Sequence, residues 1–359
     1  MAKNSRPRQQ RMDPAKTPVK GAVREPVKQS ANQKAAETPT YEKKTPAKGK
    51  KRKGGRPGGR SPIPVTPRAT AMDWIAGARI RTLALSVSPV AVGTAAAYAS
   101  TGFSGWHWVR ALLCLAVALG LQIGVNFAND YSDGIRGTDN HRIGPSRLTG
   151  SGAAKPRTVL MVALFFFAVA AVAGIALVIR SEQYWLLAVG AACVLAAWFY
   201  TGGKHPYGYY GFGELFVFVF FGVVATAGTT FVQVGTVNLE SWVGGAAVGL
   251  LACAVLIANN LRDLEHDRVA GKRTLSVLIG DRASRILFAI FILLPFVLLY
   301  FFVLFYLSAY YVYFTLLLAI PAAVIVLTAK TSREFLLALK LTSLTALVYG
   351  VWLAVTIAF

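Results

Sequence analysis

The segment NFANDYSDGIRGTDNHR, residues 126–142, follows an almost wholly apolar run, VRALLCLAVALGLQIGV. Asn126, Asp130 and Asp133 are spaced i, i+4, i+7, which puts them on one face of an α-helix. Gly134 and Gly137 then favour an end to that helix, and Asp139 lies beyond it. A second segment, IANNLRDLEHDRVAGKRTL, places Asn259, Asp263 and Asp267 at i, i+4, i+8, again close to one face. Each cluster closes an apolar stretch, where the helix dipole is negative and carboxylates are also opposed by desolvation and by one another. A cation must compensate. Several hard oxygen donors suit Mg²⁺ best. Helix-end acids paired with Arg136, Arg262 and Arg268 are the plainer reading of either cluster alone, and the matched Asn-x-x-x-Asp spacing of the two favours a shared metal site.

Magnesium held by carboxylates usually completes its shell with phosphate oxygens, and phosphate also calls for fixed cationic donors. The segments RIGPSRLTGSG, YTGGKHPYGYYG and GKRTL supply Arg142, Arg147, Lys204, Lys272 and Arg273, with Arg81 at the mouth of the first apolar span. No Walker-type glycine-rich loop is present, which argues against an ATP motor of that kind. The bulky apolar residues Phe165, Phe166, Phe167, Phe216, Phe218, Phe220 and Phe221 read mostly as packing. They also suit a substrate with a diphosphate head and a long hydrocarbon tail.

The elements that carry these residues are membrane spans. The 359 residues are 55% hydrophobic and 15% charged, yet the formal charge is +22. Residues 1–70 hold 19 Lys+Arg against 4 Asp+Glu, and 10 of the 16 prolines. With almost no aromatics and no helical or strand period, this part reads as a disordered basic tail. It suits contact with anionic lipid better than specific nucleic-acid binding. From residue 71 to 359, nine apolar segments are expected, near 82–99, 109–128, 159–179, 184–201, 213–232, 241–260, 286–306, 309–328 and 339–358. The fourth is short and the eighth contains Pro321. With the tail in the cytoplasm, the inside loops hold 14 Lys and Arg, from Arg136 to Arg333, against Arg110 and Arg180 outside. The positive-inside rule therefore gives a cytoplasmic N-terminus, an outside C-terminus, and both Asp-rich clusters at the cytoplasmic face of a plasma (inner) membrane protein. Cys114, Cys193 and Cys253 have no metal or disulfide spacing.

The two Asp-rich segments resemble the paired motifs of the UbiA superfamily of intramembrane prenyltransferases. ARIRTLALSVSPVAVGTA, GPSRLTGSG and YTGGKHPYGYYGFGELFVFVFFG are similar to its menaquinone-biosynthesis branch, the 1,4-dihydroxy-2-naphthoate polyprenyltransferases. The likeness runs from about Trp74 to the C-terminus. It implies an all-α bundle of nine transmembrane helices around a central cavity under a cytoplasmic cap. It implies Mg²⁺-dependent transfer of a polyprenyl group from polyprenyl diphosphate to 1,4-dihydroxy-2-naphthoate, with decarboxylation, giving demethylmenaquinone. Carried over, Asn126, Asp130, Asp133, Asp263 and Asp267 hold metal, and Asn259 and Asp139 support them. Arg81, Arg147, Lys204, Lys272 and Arg273 hold the diphosphate or the acceptor carboxylate, and Tyr200 and Tyr207 line the cavity. Many relatives outside this branch carry a third acid where this chain has Gly134, so either Asp133 or Asp139 completes the metal shell. A general base for the acceptor is not assigned by sequence; Asp139 and Glu214 are the candidates. Other aromatic acceptors, such as homogentisate, a hydroxybenzoate, haem or a chlorophyllide, define the nearest alternative. A cation-coupled transporter is a different class, and acids at one membrane face rather than at mid-helix count against it.

Overall fold

In a computed structural model, the described residues are 68–102, 107–138 and 147–359. The basic tail up to residue 67, Asp139 and Arg142 lie outside them. All regular structure among the described residues is helical. Helix α1 (Ala71–Ala78) starts at a capping box between Thr70 and Asp73. A 3₁₀ turn (Ile80–Leu83) joins it to α2 (Ala84–Thr101), and α3 (Trp108–Arg136), α4 (Pro156–Ser181) and α5 (Leu186–Phe199) follow. Next come α6 (Gly213–Val217), a π-helical stretch (Phe218–Val224) and α7 (Ala225–Val234), which together make one rod. Then come α8 (Leu239–Arg262), the short α9 (Leu264–Val269) and α10 (Leu275–Ile279), α11 (Asp281–Phe305), a 3₁₀ stretch (Leu307–Thr315) continuing into α12 (Leu316–Thr328), and α13 (Ser332–Ala358).

Among the described residues, eight helical rods are long and apolar enough to cross a bilayer. The fourth expected span is the exception. Helix α5 has 14 residues, or about 21 Å of rise against a hydrocarbon core of about 30 Å. Pro321 does not interrupt the eighth span; it sits inside α12. The chain is therefore a multi-pass membrane protein. Its outer faces carry apolar side chains such as Val297, Phe305 and Leu317, all well exposed, as lipid contact requires.

Helix α8 runs through the middle, packed by α2, α11 and α13. Leu251, Ile257, Phe288, Leu299, Tyr349 and Leu353 form a fully buried seam among them. Small residues let backbones approach. A Cβ on Gly222 of the π-helical stretch would lie 2.6 Å from the Gly249 Cα of α8. Buried hydroxyls lend further ties: Ser88 Oγ donates to the Ala346 carbonyl at 2.7 Å, and Thr230 Oγ1 to that of Gly93 at 2.8 Å. These contacts fix α8, whose end carries the second acidic cluster, while α3, whose end carries the first, packs chiefly against α4.

Candidate active site

Helix α3 outlasts the expected span. It continues through Asp130 and Asp133 to Arg136 and is closed by Gly137 in the left-handed region, φ 72°. Gly134 is thus inside the helix rather than at its end. A Cβ there would meet Thr149 Cγ2 at 2.3 Å. The space that a side chain at position 134 would take is filled here by the neighbouring loop. In the second cluster the helix breaks where the spacing alone suggests continuity. Asp263 stands at the junction of α8 and α9 with φ −97° and ψ 6°. The backbone N–H of Asp267 donates to its carbonyl at 2.8 Å, so Asp267 is still carried back beneath Asp263.

Both clusters open onto one cavity of about 1120 Å³. Asn126, Asp130, Asp133, Asn259, Asp263 and Asp267 all line it, as do Arg81, Arg147, Tyr200, Tyr207 and Lys272. The four carboxylates are buried, at 2–7% exposure, so each needs compensation. Asp130 receives it from a loop: its two oxygens accept the backbone N–H groups of Leu148 and Thr149, each at 2.9 Å. That pairing sets the position of Arg147. Asp133 receives it from side chains. Lys272 Nζ lies 3.1 Å and Arg147 Nη2 3.6 Å from its Oδ2, and the Tyr209 hydroxyl donates to its Oδ1. Burial, and then the Asp133 charge, push the Tyr209 phenol well above its ordinary range, so it stays a donor. Arg262 grips Asp263 through two hydrogen bonds, at 2.8 and 2.5 Å. The His266 ring meets the Thr138 carbonyl at 2.6 Å and so latches the second acidic segment to the first.

Amides face the same space. Asn126 Nδ2 donates to the Ala78 carbonyl at 2.9 Å, and Asn129 Oδ1 accepts from Thr201 Oγ1 at 2.5 Å. Asn260 Nδ2 donates to Glu214 Oε1 at 2.8 Å. Glu214 itself is buried, does not line the cavity, and leaves Oε2 without a hydrogen-bond partner among the described residues.

Away from the acids the cavity becomes apolar. Tyr200, Tyr207, Phe216 and Phe220 form a continuous strip of rings, with centroids 5.5, 4.1 and 5.9 Å apart in order. The Tyr207 hydroxyl donates to the Ala196 carbonyl at 2.9 Å and holds that ring in place. Phe221 also lines the cavity, whereas Phe165 is exposed and Phe167 lies in the core.

Two expected cations are elsewhere. Lys204 and Arg273 do not line this cavity but a smaller one on the far side of Tyr209. Conversely, Arg79, Asn129, Tyr209, Asn260, Arg262 and His266 line the main cavity and were not singled out for the site from sequence. Arg262 and His266 lie within the quoted second segment, so proximity to Asp263 was their available signal. Arg79 lies within the quoted ARIRTL stretch and adopts φ 54° between α1 and the 3₁₀ turn, a conformation usually left to glycine.

The lining holds four carboxylates and five Lys or Arg residues, nearly balanced on its own. A diphosphate adds several negative charges and upsets that balance. Among the described residues no three His, Cys, Asp or Glu side chains converge to hold a metal alone. Separated carboxylates, amide oxygens and incoming phosphate oxygens are the donor set Mg²⁺ accepts, so the residues fit that ion.

Comparison with known proteins bears on the family and the fold. Residues 86–344 match the UbiA prenyltransferase family. The chain is 46% identical over 298 residues to a 1,4-dihydroxy-2-naphthoate octaprenyltransferase of Mycobacterium tuberculosis, covering 81% of this chain and 98% of that one. Among solved structures, a UbiA homolog from Aeropyrum pernix K1 superposes with a TM-score of 0.59 at 18% identity, covering 77% of this chain and 98% of the other. A UbiA homolog from Archaeoglobus fulgidus bound to GPP and Mg²⁺ gives 0.54 at 15%, covering 79% and 99%. These two likenesses concern the fold. Taken with the family match and the close relative, they lead to one conclusion: this chain belongs to the UbiA prenyltransferase family and is a membrane-embedded prenyltransferase.

Proposed function

We propose that this enzyme transfers a polyprenyl group from a polyprenyl diphosphate to 1,4-dihydroxy-2-naphthoate, with loss of the naphthoate carboxylate. The observation that carries the reading is the joining, in one cavity, of two acidic clusters with cationic partners at one end and an apolar aromatic strip along the rest. The 46% identity to a relative named for that acceptor supports the choice of acceptor.

Asp130, Asp133, Asp263 and Asp267, with Asn126 and Asn259, would hold Mg²⁺ directly or through water. When bound, the ion supplies charge neutralisation for the diphosphate and for its departure. Arg147 and Lys272 already point at Asp133, and they bind phosphate oxygens beside it. Arg81 stands exposed on the cavity wall and adds charge there. The C–O bond to the diphosphate breaks, and the allylic cation is flanked by Tyr207, Phe216 and Phe220, whose faces stabilise positive charge. The apolar wall excludes water that would quench it. The naphthoate ring carbon that bears the carboxylate supplies the electron pair for the new C–C bond. The carboxylate leaves as CO₂, and the bond it breaks returns an electron pair to the ring. No oxidant enters, so the product is the demethylmenaquinone skeleton at the quinol level.

The excess of Lys and Arg in the loops at the acidic end supports a cytoplasmic orientation of the site. Purified enzyme given a labelled polyprenyl diphosphate and a panel of aromatic acceptors tests the reading. Selective prenylation of dihydroxynaphthoate is expected; preference for another acceptor would overturn the acceptor assignment while leaving prenyl transfer intact.

A further inference from the structure

Glu214 is a buried carboxylate near the start of α6, and the prenyl transfer does not use it. It is firmly placed. Its carbonyl accepts from Cys253 Sγ of α8 at 3.2 Å. A Cβ on the preceding Gly213 would lie 3.3 Å from Leu256 and 3.5 Å from the Tyr200 hydroxyl oxygen. Glu214 is therefore wedged between α8 and the tyrosine that begins the aromatic strip.

Its Oε1 accepts a hydrogen bond from Asn260 Nδ2 at 2.8 Å, and its Oε2 has no partner among the described residues. An ionised carboxylate can only accept, so it turns the amide nitrogen of Asn260 toward itself. The amide oxygen then points away from it. Asn260 Oδ1 accepts no hydrogen bond among the described residues and is not sealed off, and Asn260 lines the main cavity. An acceptor held in this way selects its partner by chemistry. The oxygens of an ionised diphosphate are acceptors themselves, and a prenyl chain has no polar hydrogen. Of the groups that the reaction brings in, a hydroxyl on the aromatic ring is the donor. Mg²⁺ is the other group that an amide oxygen could take.

We propose that Asn260 Oδ1 accepts a hydrogen bond from a ring hydroxyl of the aromatic acceptor, and that Glu214 is the positioning residue that presents this oxygen, a step that rests on the reading of a hydroxylated aromatic acceptor. The bond holds the ring where the acidic end of the cavity meets the aromatic strip. It also leaves more electron density on the hydroxyl oxygen, which the ring passes to the carbon that attacks the allylic cation.

The test is steady-state kinetics of the purified full-length enzyme with 1,4-dihydroxy-2-naphthoate and with each of its mono-O-methyl ethers. A site built to pair a hydroxyl rejects an analogue that lacks it, so the parent should prefer the diol over one ether in kcat/KM. In Asn260→Leu that preference should fall at least about tenfold, as loss of one directional hydrogen bond implies. The KM for the diol should rise, while the KM for polyprenyl diphosphate and the Mg²⁺ requirement stay unchanged. Glu214→Ala should lose part of the preference, and Glu214→Gln, which can still accept from Asn260, should restore it. Asn260→Asp/Glu214→Gln re-forms the pair with donor and acceptor exchanged, and should keep the preference. Thermal unfolding checks the fold of each variant, and if Asn260→Leu does not fold, the Glu214 variants and the double variant decide. A preference that survives both Asn260→Leu and Glu214→Ala would overturn the proposal. So would a raised Mg²⁺ requirement with the acceptor KM unchanged, because Asn260 would then serve the metal. If the parent prefers another phenolic acceptor, the naphthoate reading falls, and that phenol and its methyl ether run the same comparison.

Discussion

Lys272 Nζ lies 3.1 Å from Asp133 Oδ2 and so ties the second acidic segment to the first across the cavity. Both side chains are nearly buried, at 11% and 4% exposure. Removing one partner of a buried pair leaves an uncompensated charge, which is the costly case. Arg147 and Tyr209 share the load at Asp133, so Lys272→Met is expected to cost about 2 kcal/mol of stability. Asp133→Asn in the same protein should recover most of it. A double-mutant cycle by denaturation in detergent measures the coupling, and additive effects would contradict the pairing.

Asp130 acts on a loop as well as on the cavity. With both oxygens committed to Leu148 and Thr149 N–H groups, Asp130→Ala should loosen residues 147–154 and displace Arg147. Hydrogen exchange there is expected to rise sharply, together with loss of turnover. Asp130→Asn keeps one acceptor and should protect the loop in part. Unaltered exchange in the alanine variant would show that the carboxylate does not hold the loop.

Gly134 should refuse any side chain, because Thr149 stands where its Cβ would be. Gly134→Ala is expected to lower turnover by pushing residues 148–150 away from Asp130. Adding Thr149→Gly should restore much of it. Equal activity of Gly134→Ala and the parent would contradict the close approach.

Glu214 fixes the Asn260 amide through a 2.8 Å hydrogen bond inside the bundle. Glu214→Ala leaves that donor unpaired and should lower stability by about 1–3 kcal/mol. Glu214→Gln keeps an acceptor and should lose less. Thermal unfolding compares the two, and equal losses would mean the carboxylate is held for another reason.

Eight of the nine expected spans and both acidic clusters were legible because hydropathy and helical spacing report what one segment does. The Asn126, Asp130 and Asp133 face falls on α3 as the spacing predicts. What spacing omits is the partner across a gap. Tyr209 sits in a tyrosine-rich run with nothing to mark it, and only the fold brings its hydroxyl to Asp133. Lys204 and Arg273 were placed with the phosphate ligands because their loops were right. Their side chains lie beyond Tyr209, a difference of side that a run of loop residues does not encode. The break at Asp263 was likewise hidden, since an Asn-x-x-x-Asp-x-x-x-Asp pattern reads as unbroken helix.

The most direct measurement is mass-resolved product analysis of purified enzyme with a polyprenyl diphosphate, 1,4-dihydroxy-2-naphthoate and Mg²⁺, run beside Asp133→Ala and Asp263→Ala proteins of confirmed fold. The expected result is one product, the prenylated ring lacking CO₂, formed only with Mg²⁺ and reduced at least about a thousandfold in either variant. Full-rate formation in EDTA, or by either variant, would contradict a prenyl transfer that depends on metal held between the two acidic segments.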